Sequence, residues 1–122
     1  DLARREADGT ITLLGRGATS INSGGEKVFP EEVESALKAH PAVADALVAG
    51  VPDERFGEVV GAVVALRPDA AADPPTDEKL RAHLRTTLAG YKVPRVIVVA
   101  ERCSRLATGK PDYRWARAVL AG

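Results

Sequence analysis

The sequence predicts a small α+β domain: a central sheet of roughly three strands covered by two to three helices, plus an N-terminal β-hairpin. Apolar runs rich in valine, isoleucine and alanine predict the three strands, at residues 43–51, 58–66 and 95–99. Segments before, between and after these runs carry apolar residues three and four positions apart, which predicts α-helices. The length of 122 residues fits one such domain with a modest core.

The N-terminal part is predicted to form a hairpin followed by a glycine-rich loop. Residues 10–14 alternate as a short strand, and residues 20–22 are expected to pair with them. Gly24 and Gly25 follow, and they allow positive φ and leave the backbone open to the close approach of a ligand. We interpret this loop as a mobile connection between a strand and a helix, and not as a packing element.

Three helices are predicted in the rest of the chain. The first spans residues 30–40, because one proline suits its first position and a second proline stops it. Thr76 is the expected N-cap of the second helix, which presents leucines on one face and ends at Gly90. Asp112 is the expected cap of the third. The Tyr-Lys-Val-Pro segment that follows the second helix is interpreted as architectural, with Tyr91 packed against the body.

The composition argues against several classes of function. The 17 basic and 17 acidic residues balance, so charge gives no reason to expect nucleic acid or an anionic membrane as a partner. One cysteine and two histidines exclude a disulfide framework and disfavour a structural zinc site, and Cys103 is interpreted as a buried or idle thiol. No apolar run approaches the roughly 18–20 residues of a transmembrane helix, and no signal peptide is visible, so a cytoplasmic location is the default expectation.

The run Gly-Gly-Glu-Lys-Val-Phe-Pro-Glu-Glu-Val-Glu at residues 24–34 resembles the signature at the start of the small C-terminal domain of adenylate-forming enzymes. The run is most similar to the acyl-CoA synthetase branch. Two later motifs, at residues 91–94 and 104–110, fall in the order of that family, so the resemblance covers nearly the whole chain. Because the chain starts abruptly at Asp1, without an initiator methionine, we expect a fragment of a longer protein.

The resemblance implies the organisation and the reaction of the parent protein. Residues 1–16 correspond to the end of a large N-terminal domain and a linker strand, and residues 17–122 to a mobile C-terminal domain whose partner is that large domain. A carboxylic acid and ATP, bound with Mg²⁺, give an acyl-adenylate and pyrophosphate, and the thiol of CoA then displaces AMP. The branch leans towards fatty or other lipid-derived acids. The fragment alone is expected to be inactive, since the large domain is missing.

Residues near the start of the chain are implied to bind the nucleotide and to form the hinge. By resemblance, Asp1 and Arg16 bind the ribose and Lys27 lies near the phosphates. A guanidinium group offers several directed donors for such hydrogen bonds. Gly17 and Ala18 occupy the hinge between the two domains, where relatives often carry Asp or Lys. The alternative for each of these residues is an ordinary solvated loop position.

The glycine run is the implied CoA site. Gly24, Gly25 and Glu26 resemble the loop that lines the pantetheine tunnel during thioester formation, and bare glycine backbone is suited to pair with the pantetheine amides. The alternative is a tight turn before a helix. Asn22 replaces a lysine found in some relatives, so identical CoA contacts are not implied.

The second key segment is Ser-Arg-Leu-Ala-Thr-Gly-Lys at residues 104–110. It is not a Walker A loop, because the leading glycine is absent and Pro111 stands where Ser or Thr must bind Mg²⁺. It resembles the closing motif of the family, which makes Lys110 the implied catalytic residue: a cation here would stabilise the charge that develops where the carboxylate meets the α-phosphate. Ser104 replaces a common proline, which is expected to loosen the loop. The alternative is an exposed lysine in a polar loop.

Two other functions are left open by the residues. A sister enzyme would adenylate a carboxylate and pass the acyl group to the thiol of a carrier protein, using the same glycine loop. A non-catalytic interaction module would carry both loops as solvated turns.

Overall fold

A computed structural model describes residues 20–122. Within this part of the chain, five β-strands and three α-helices form the predicted α+β fold. In chain order they are β1 (Ile21–Ser23), β2 (Glu26–Val28), α1 (Pro30–Lys38), β3 (Val43–Asp53), β4 (Gly57–Leu66), α2 (Asp77–Leu84), β5 (Val96–Ala100) and α3 (Tyr113–Ala121), with a short 3₁₀ helix at Gly90–Lys92 before β5.

β4 is the central strand of the sheet. One of its edges pairs antiparallel with β3, from Asp53 opposite Gly57 to Val43 opposite Leu66. Its other edge is shared, because β1 pairs antiparallel with it at Gly57 and β5 pairs parallel with residues 61–65. β2 pairs with β1 and completes the sheet. The described strands therefore follow the order β2-β1-β4-β3, with β2 and β3 as its outer strands.

The described residues form a hairpin that the sequence did not predict. β1 pairs with β2, with Asn22 opposite Lys27, so residues 20–22 lead into a strand that finds its partner after the glycine pair. The predicted partner, residues 10–14, lies outside the described residues. Two adjacent glycines with positive φ close a two-residue hairpin whose twist matches that of the strands. The interpretation of the glycine run as a connection from a strand directly into a helix is therefore wrong.

Both faces of the sheet are buried, which explains why β3 and β4 are apolar at nearly every position. Successive side chains of a strand point to opposite faces. One core lies under α1 and α2 and takes Ala46, Val48, Val60, Ala62 and Val64 from the two strands. The other core lies under α3 and takes Leu47, Ala49, Val63 and Ala65.

Side chains predicted to cap two helices do so. The Thr76 hydroxyl oxygen accepts a hydrogen bond from the Lys79 N–H at the start of α2 (3.1 Å). An Asp112 carboxylate oxygen accepts one from the Trp115 N–H at the start of α3 (3.1 Å). Each cap satisfies one of the backbone donors that a helix start leaves free.

α2 ends at Leu84 and is therefore shorter than predicted, since the prediction placed its end at Gly90. The Thr86 hydroxyl donates a hydrogen bond to the His83 carbonyl (2.6 Å), a local contact of the kind that competes with helical hydrogen bonding. Leu88 is nevertheless buried, since the turns after the helix return it to the core.

The carboxylate of Glu34 joins three elements at β3. Glu34 on α1 is only 6% exposed, and its Oε2 accepts hydrogen bonds from the Val48 N–H of β3 (2.9 Å) and the Tyr113 hydroxyl of α3 (2.8 Å). These contacts tie helices on opposite faces of the sheet to one strand. Burial raises the pKa of Glu34, and the two hydrogen bonds offset this effect only in part.

Glu34 is predicted to make stability depend on pH. Because its pKa is raised above the unfolded value of 4.5, the folded state holds the proton more tightly. The free energy of unfolding therefore gains a contribution as the pH falls from neutral towards 4.5, and loses it as the pH rises through the folded pKa. Urea unfolding of wild type and Glu34→Gln at several pH values should show wild type gaining stability relative to the variant on acidification. Parallel pH profiles would contradict the assignment.

Candidate functional site

Gly24 and Gly25 form the two-residue turn of the β1–β2 hairpin. Their φ angles are +59° and +89°, the left-handed conformation that glycine adopts without strain. The flanking residues Ser23 and Glu26 lie opposite each other in the strand pair. The turn is therefore a defined hydrogen-bonded structure. The alternative foreseen for it, a tight turn, describes its backbone correctly, although β2 separates it from α1.

A second hairpin tip supports this turn. The β3–β4 tip contains Asp53, whose carboxylate accepts hydrogen bonds from the N–H groups of Arg55 (3.0 Å) and Phe56 (2.9 Å). The Phe56 carbonyl in turn accepts one from the Gly24 N–H (2.9 Å). Gly57, at φ +81°, completes the tip and pairs with β1. The two tips lie side by side at one end of the sheet.

Arginine side chains lie beside these tips. The guanidinium carbons of Arg95 and Arg55 lie 4.8 Å and 5.4 Å from the centroid of the Phe56 ring. Arg81 of α2 donates to the carbonyls of Pro94 (2.9 Å) and Arg95 (3.0 Å), which fixes the entry to β5. These arginines and Phe56 were not predicted as site residues from the sequence. The Asp-Glu-Arg-Phe-Gly run at residues 53–57 indicated only that a turn follows the strand.

The structure brings together four of the predicted site residues. Gly24, Gly25, Glu26 and Lys27 all belong to the β1–β2 hairpin, and the last two are exposed on β2. Lys27, predicted to lie near nucleotide phosphates, thus shares an element with the residues predicted to contact CoA. Asp1, Arg16, Gly17 and Ala18 lie outside the described residues.

Lys110 lies at the end of a closed loop. Arg105 and Pro111 form an isolated antiparallel bridge, the Leu106 N–H donates to the Lys110 carbonyl (2.8 Å), and the Gly109 N–H donates to the Leu106 carbonyl (2.8 Å). Gly109 adopts φ +90° to make this turn. The Lys110 side chain is exposed. The loop therefore holds a cation at the surface on an ordered backbone.

Two contacts anchor this loop to the body. Arg105 donates to both carboxylate oxygens of Asp45 on β3, at 2.7 Å and 3.0 Å from Nη2, and Asp45 raises the pKa of the guanidinium group. Ser104 donates to Asp112 at the start of α3 (3.3 Å). The loosening expected from serine in place of proline is thus opposed by contacts that the sequence did not reveal.

The two candidate loops lie at opposite ends of the sheet. The Lys110 loop is attached through Asp45 near the start of β3, and the glycine turn lies beside Asp53 at its end. These two aspartates are eight residues apart on the strand, which at about 3.3 Å per residue separates them by roughly 25 Å. One substrate atom cannot touch both loops in a single orientation of the domain.

Three further residues for which the sequence suggested a place lie outside the two loops: Tyr91, Lys92 and Cys103. Tyr91 is 43% exposed, so the prediction that it packs is wrong, because the 3₁₀ helix turns it outward. Lys92 forms an ion pair with Glu32 of α1 (2.9 Å). Cys103 is buried as predicted, and burial, with a smaller effect of Asp45, raises the pKa of its thiol to about 11.

Residues 20–122 contain no cluster of three or more His, Cys, Asp or Glu side chains arranged to hold a metal ion. In the same part of the chain, no helix has the length and hydrophobicity to span a membrane.

Comparison with known proteins identifies the family of this chain. The family model described as AMP-binding enzyme C-terminal domain matches residues 32–110. The chain belongs to this family. The matched region runs from the first turn of α1 to Lys110, so it contains the β3–β4 tip and residues 105–110 of the Lys110 loop.

Relatives of this AMP-binding enzyme C-terminal domain include ligases of known name. The 3-oxocholest-4-en-26-oate–CoA ligase of Rhodococcus rhodochrous is 62% identical over 117 residues, covering 96% of this chain and 20% of the relative. A medium/long-chain-fatty-acid–CoA/3-oxocholest-4-en-26-oate–CoA ligase of Mycolicibacterium smegmatis is 59% identical over 119 residues, covering 98% and 21%. The solved acyl-CoA synthetase of Brucella canis superposes with a TM-score of 0.78 at 37% identity, covering 93% and 21%. The chain thus spans about a fifth of the length of each.

The order of the Lys110 loop is predicted to depend on the Arg105–Asp45 ion pair. Arg105→Ala should speed amide hydrogen exchange at Leu106 and Gly109 several-fold, measured by NMR. The global free energy of unfolding should fall by less than about 1 kcal/mol, since the pair is partly exposed. Arg85→Ala is the matched control, because it breaks an exposed ion pair with Glu78 on α2 (2.9 Å). Equal loop exchange in both variants would contradict the anchoring role.

Proposed function

We propose that this chain is the mobile C-terminal domain of an ATP-dependent acyl-CoA ligase. In the parent enzyme, a carboxylate attacks the α-phosphorus of ATP, giving an acyl-adenylate and pyrophosphate. The CoA thiol then attacks the acyl carbon, giving acyl-CoA and AMP. Family membership supports the proposal, as do relatives named as CoA ligases. Residues 1–16 would be the end of the large domain and its linker, and residues 17–122 the mobile domain.

The observation that carries the proposal is the separation of the two loops. The glycine turn and the Lys110 loop lie at opposite ends of β3. An active site formed against the large domain therefore engages one end at a time, and the domain must turn between the two steps. We assign the turning to Gly17 and Ala18, where small residues leave the backbone free to bend.

Lys110 is assigned to the adenylation step. Its ammonium group is exposed at the end of an anchored loop, so it can enter a site formed by the large domain without rearrangement of the body. A cation placed there stabilises the negative charge that two reacting anions bring together. ATP, with Mg²⁺ bound to its phosphates, would be held largely by the large domain. Asp1 and Arg16 would hold the ribose from the linker side.

The glycine turn is assigned to the thioester step. A Cβ on Gly25 would meet nothing within 4 Å, so its backbone faces open space and can pair with the amides of pantetheine. Glu26 is exposed next to it, at the start of β2. Lys27 shares this hairpin, so we assign its phosphate contact to the acyl-adenylate that is still bound in the second step, not to ATP in the first.

The acid is proposed to be lipid-derived. The two relatives are named for 3-oxocholest-4-en-26-oate and for medium- and long-chain fatty acids. The same names favour CoA over a carrier-protein thiol as the acceptor. A comparison of medium- and long-chain fatty acids and steroid side-chain acids with benzoate and acetate, by acid-dependent ATP–pyrophosphate exchange of the parent enzyme, tests the class of acid. Preference for the small acids would overturn it.

Lys110→Ala should separate the two half-reactions in the full-length parent enzyme. Adenylation, followed by pyrophosphate exchange, should fall roughly 100- to 1000-fold, the effect typical of removing one group that stabilises transition-state charge. Thioester formation from supplied acyl-adenylate and CoA should stay within about 3-fold of wild type.

The control for this experiment is Lys79→Ala, which removes an exposed lysine from α2. It should leave both half-reactions unchanged. If Lys110→Ala behaved like Lys79→Ala, Lys110 would be a surface lysine and an interaction module would be the better account.

The 122-residue chain alone should catalyse no ATP–pyrophosphate exchange. Robust exchange by it would overturn the assignment of the remaining catalytic groups to the large domain.

A further inference from the structure

The glycine turn is packed on one side and open on the other. The Gly24 N–H donates to the Phe56 carbonyl (2.9 Å), and a Cβ on Gly24 would lie only 3.2 Å from the Phe56 ring. Gly25 has open space where Gly24 has the ring. The backbone that is proposed to face CoA is therefore supported on its other side by Phe56 of the β3–β4 tip, through both its carbonyl and its ring.

Phe56 is itself held by several contacts. The guanidinium carbons of Arg95 and Arg55 lie over its ring, at 4.8 Å and 5.4 Å from the centroid. Its N–H is bound by Asp53 (2.9 Å), which fixes the backbone of the tip. Arg95 is fixed in turn by Arg81 of α2, which donates to the Arg95 carbonyl (3.0 Å). A continuous set of contacts thus runs from α2 to the glycine turn.

We propose that Phe56 is a positioning residue for thioester formation, acting through Gly24. Its ring, in contact with Arg55 and Arg95, sets the position of the turn and so presents the open backbone of Gly25 at a fixed distance from pantetheine. Displacements of about 1 Å in such contacts are enough to lower a rate about 100-fold. The inference rests on the proposed role of the turn in the CoA step. It predicts no role for Phe56 in adenylation, since Lys110 lies at the other end of β3.

The test uses the full-length parent enzyme with Phe56→Ala and Phe56→Tyr. Phe56→Ala should lower kcat/KM for CoA at least roughly 10-fold, measured from supplied acyl-adenylate, and leave pyrophosphate exchange within about 2-fold of wild type. Phe56→Tyr keeps an aromatic ring beneath the two guanidinium groups and should restore most of the loss. Arg95→Gln should cause a smaller loss of the same kind.

A structural readout distinguishes positioning from general damage. In the 122-residue chain, Phe56→Ala should speed hydrogen exchange of the Gly24 amide at least roughly 10-fold, although its acceptor, the backbone carbonyl, is still present. Amides in the middle of the β3–β4 ladder, such as that of Val63, should exchange as in wild type. Equal acceleration at Val63 would mean that the variant unfolds the domain, and would overturn the positioning role.

Gly25→Ala separates failure of this inference from failure of the proposed function. It adds a Cβ on the open side of the turn without touching Phe56, and at φ +89° it also strains the backbone of the turn itself. If Gly25→Ala impairs thioester formation and Phe56→Ala does not, the positioning role is wrong and the CoA role of the turn stands. If Gly25→Ala leaves thioester formation unchanged, the CoA role itself fails. Equal losses in both half-reactions with Phe56→Ala would also overturn the inference.

Discussion

The antiparallel pairing of β3 with β4 is the constraint on which the rest of the molecule depends. Its register places Asp53 opposite Gly57 at one end, which forms the tip beside the glycine turn, and it places Asp45 near the other end, where Arg105 is bound. The side-chain period of a strand is two residues, so a slip of one residue would exchange the two cores and displace both loops. One ladder thus fixes the faces that are buried and the separation of the two candidate loops.

The buried carboxylate of Glu34 links the helices on the two faces of the sheet to β3. It binds Val48 of β3 and Tyr113 of α3 from α1, so helices on opposite faces of the sheet are linked through a single group. A carboxylate at this place is costly because burial disfavours its charge. Its two hydrogen bonds offset part of that cost and satisfy a backbone donor of β3. A rigid body is what the proposed turning requires, since motion at a hinge then moves both loops together.

Most of the fold could be predicted because its signals are local. The three apolar runs, the proline start of α1, and the caps Thr76 and Asp112 each occupy a few consecutive residues. The glycine run has a function proposed by resemblance, but its structure was not predicted, since two glycines suit both a loop and a tight hairpin. The contacts that hold the two candidate loops in place could not be predicted, because they join residues far apart in the sequence. Asp45 and Arg105 are 60 residues apart, and Gly24 meets Phe56 only through the sheet.

The central claim is that opposite ends of one rigid domain serve the two half-reactions in turn. Hydrogen exchange of the parent enzyme, read by mass spectrometry, tests it most directly. The enzyme with ATP alone should be compared with the enzyme that holds a stable acyl-adenylate analogue together with CoA. The account predicts protection of residues 105–110 with ATP and of residues 22–28 with CoA, in a reciprocal pattern. Protection of both segments in the same state, or of neither in any state, would contradict it.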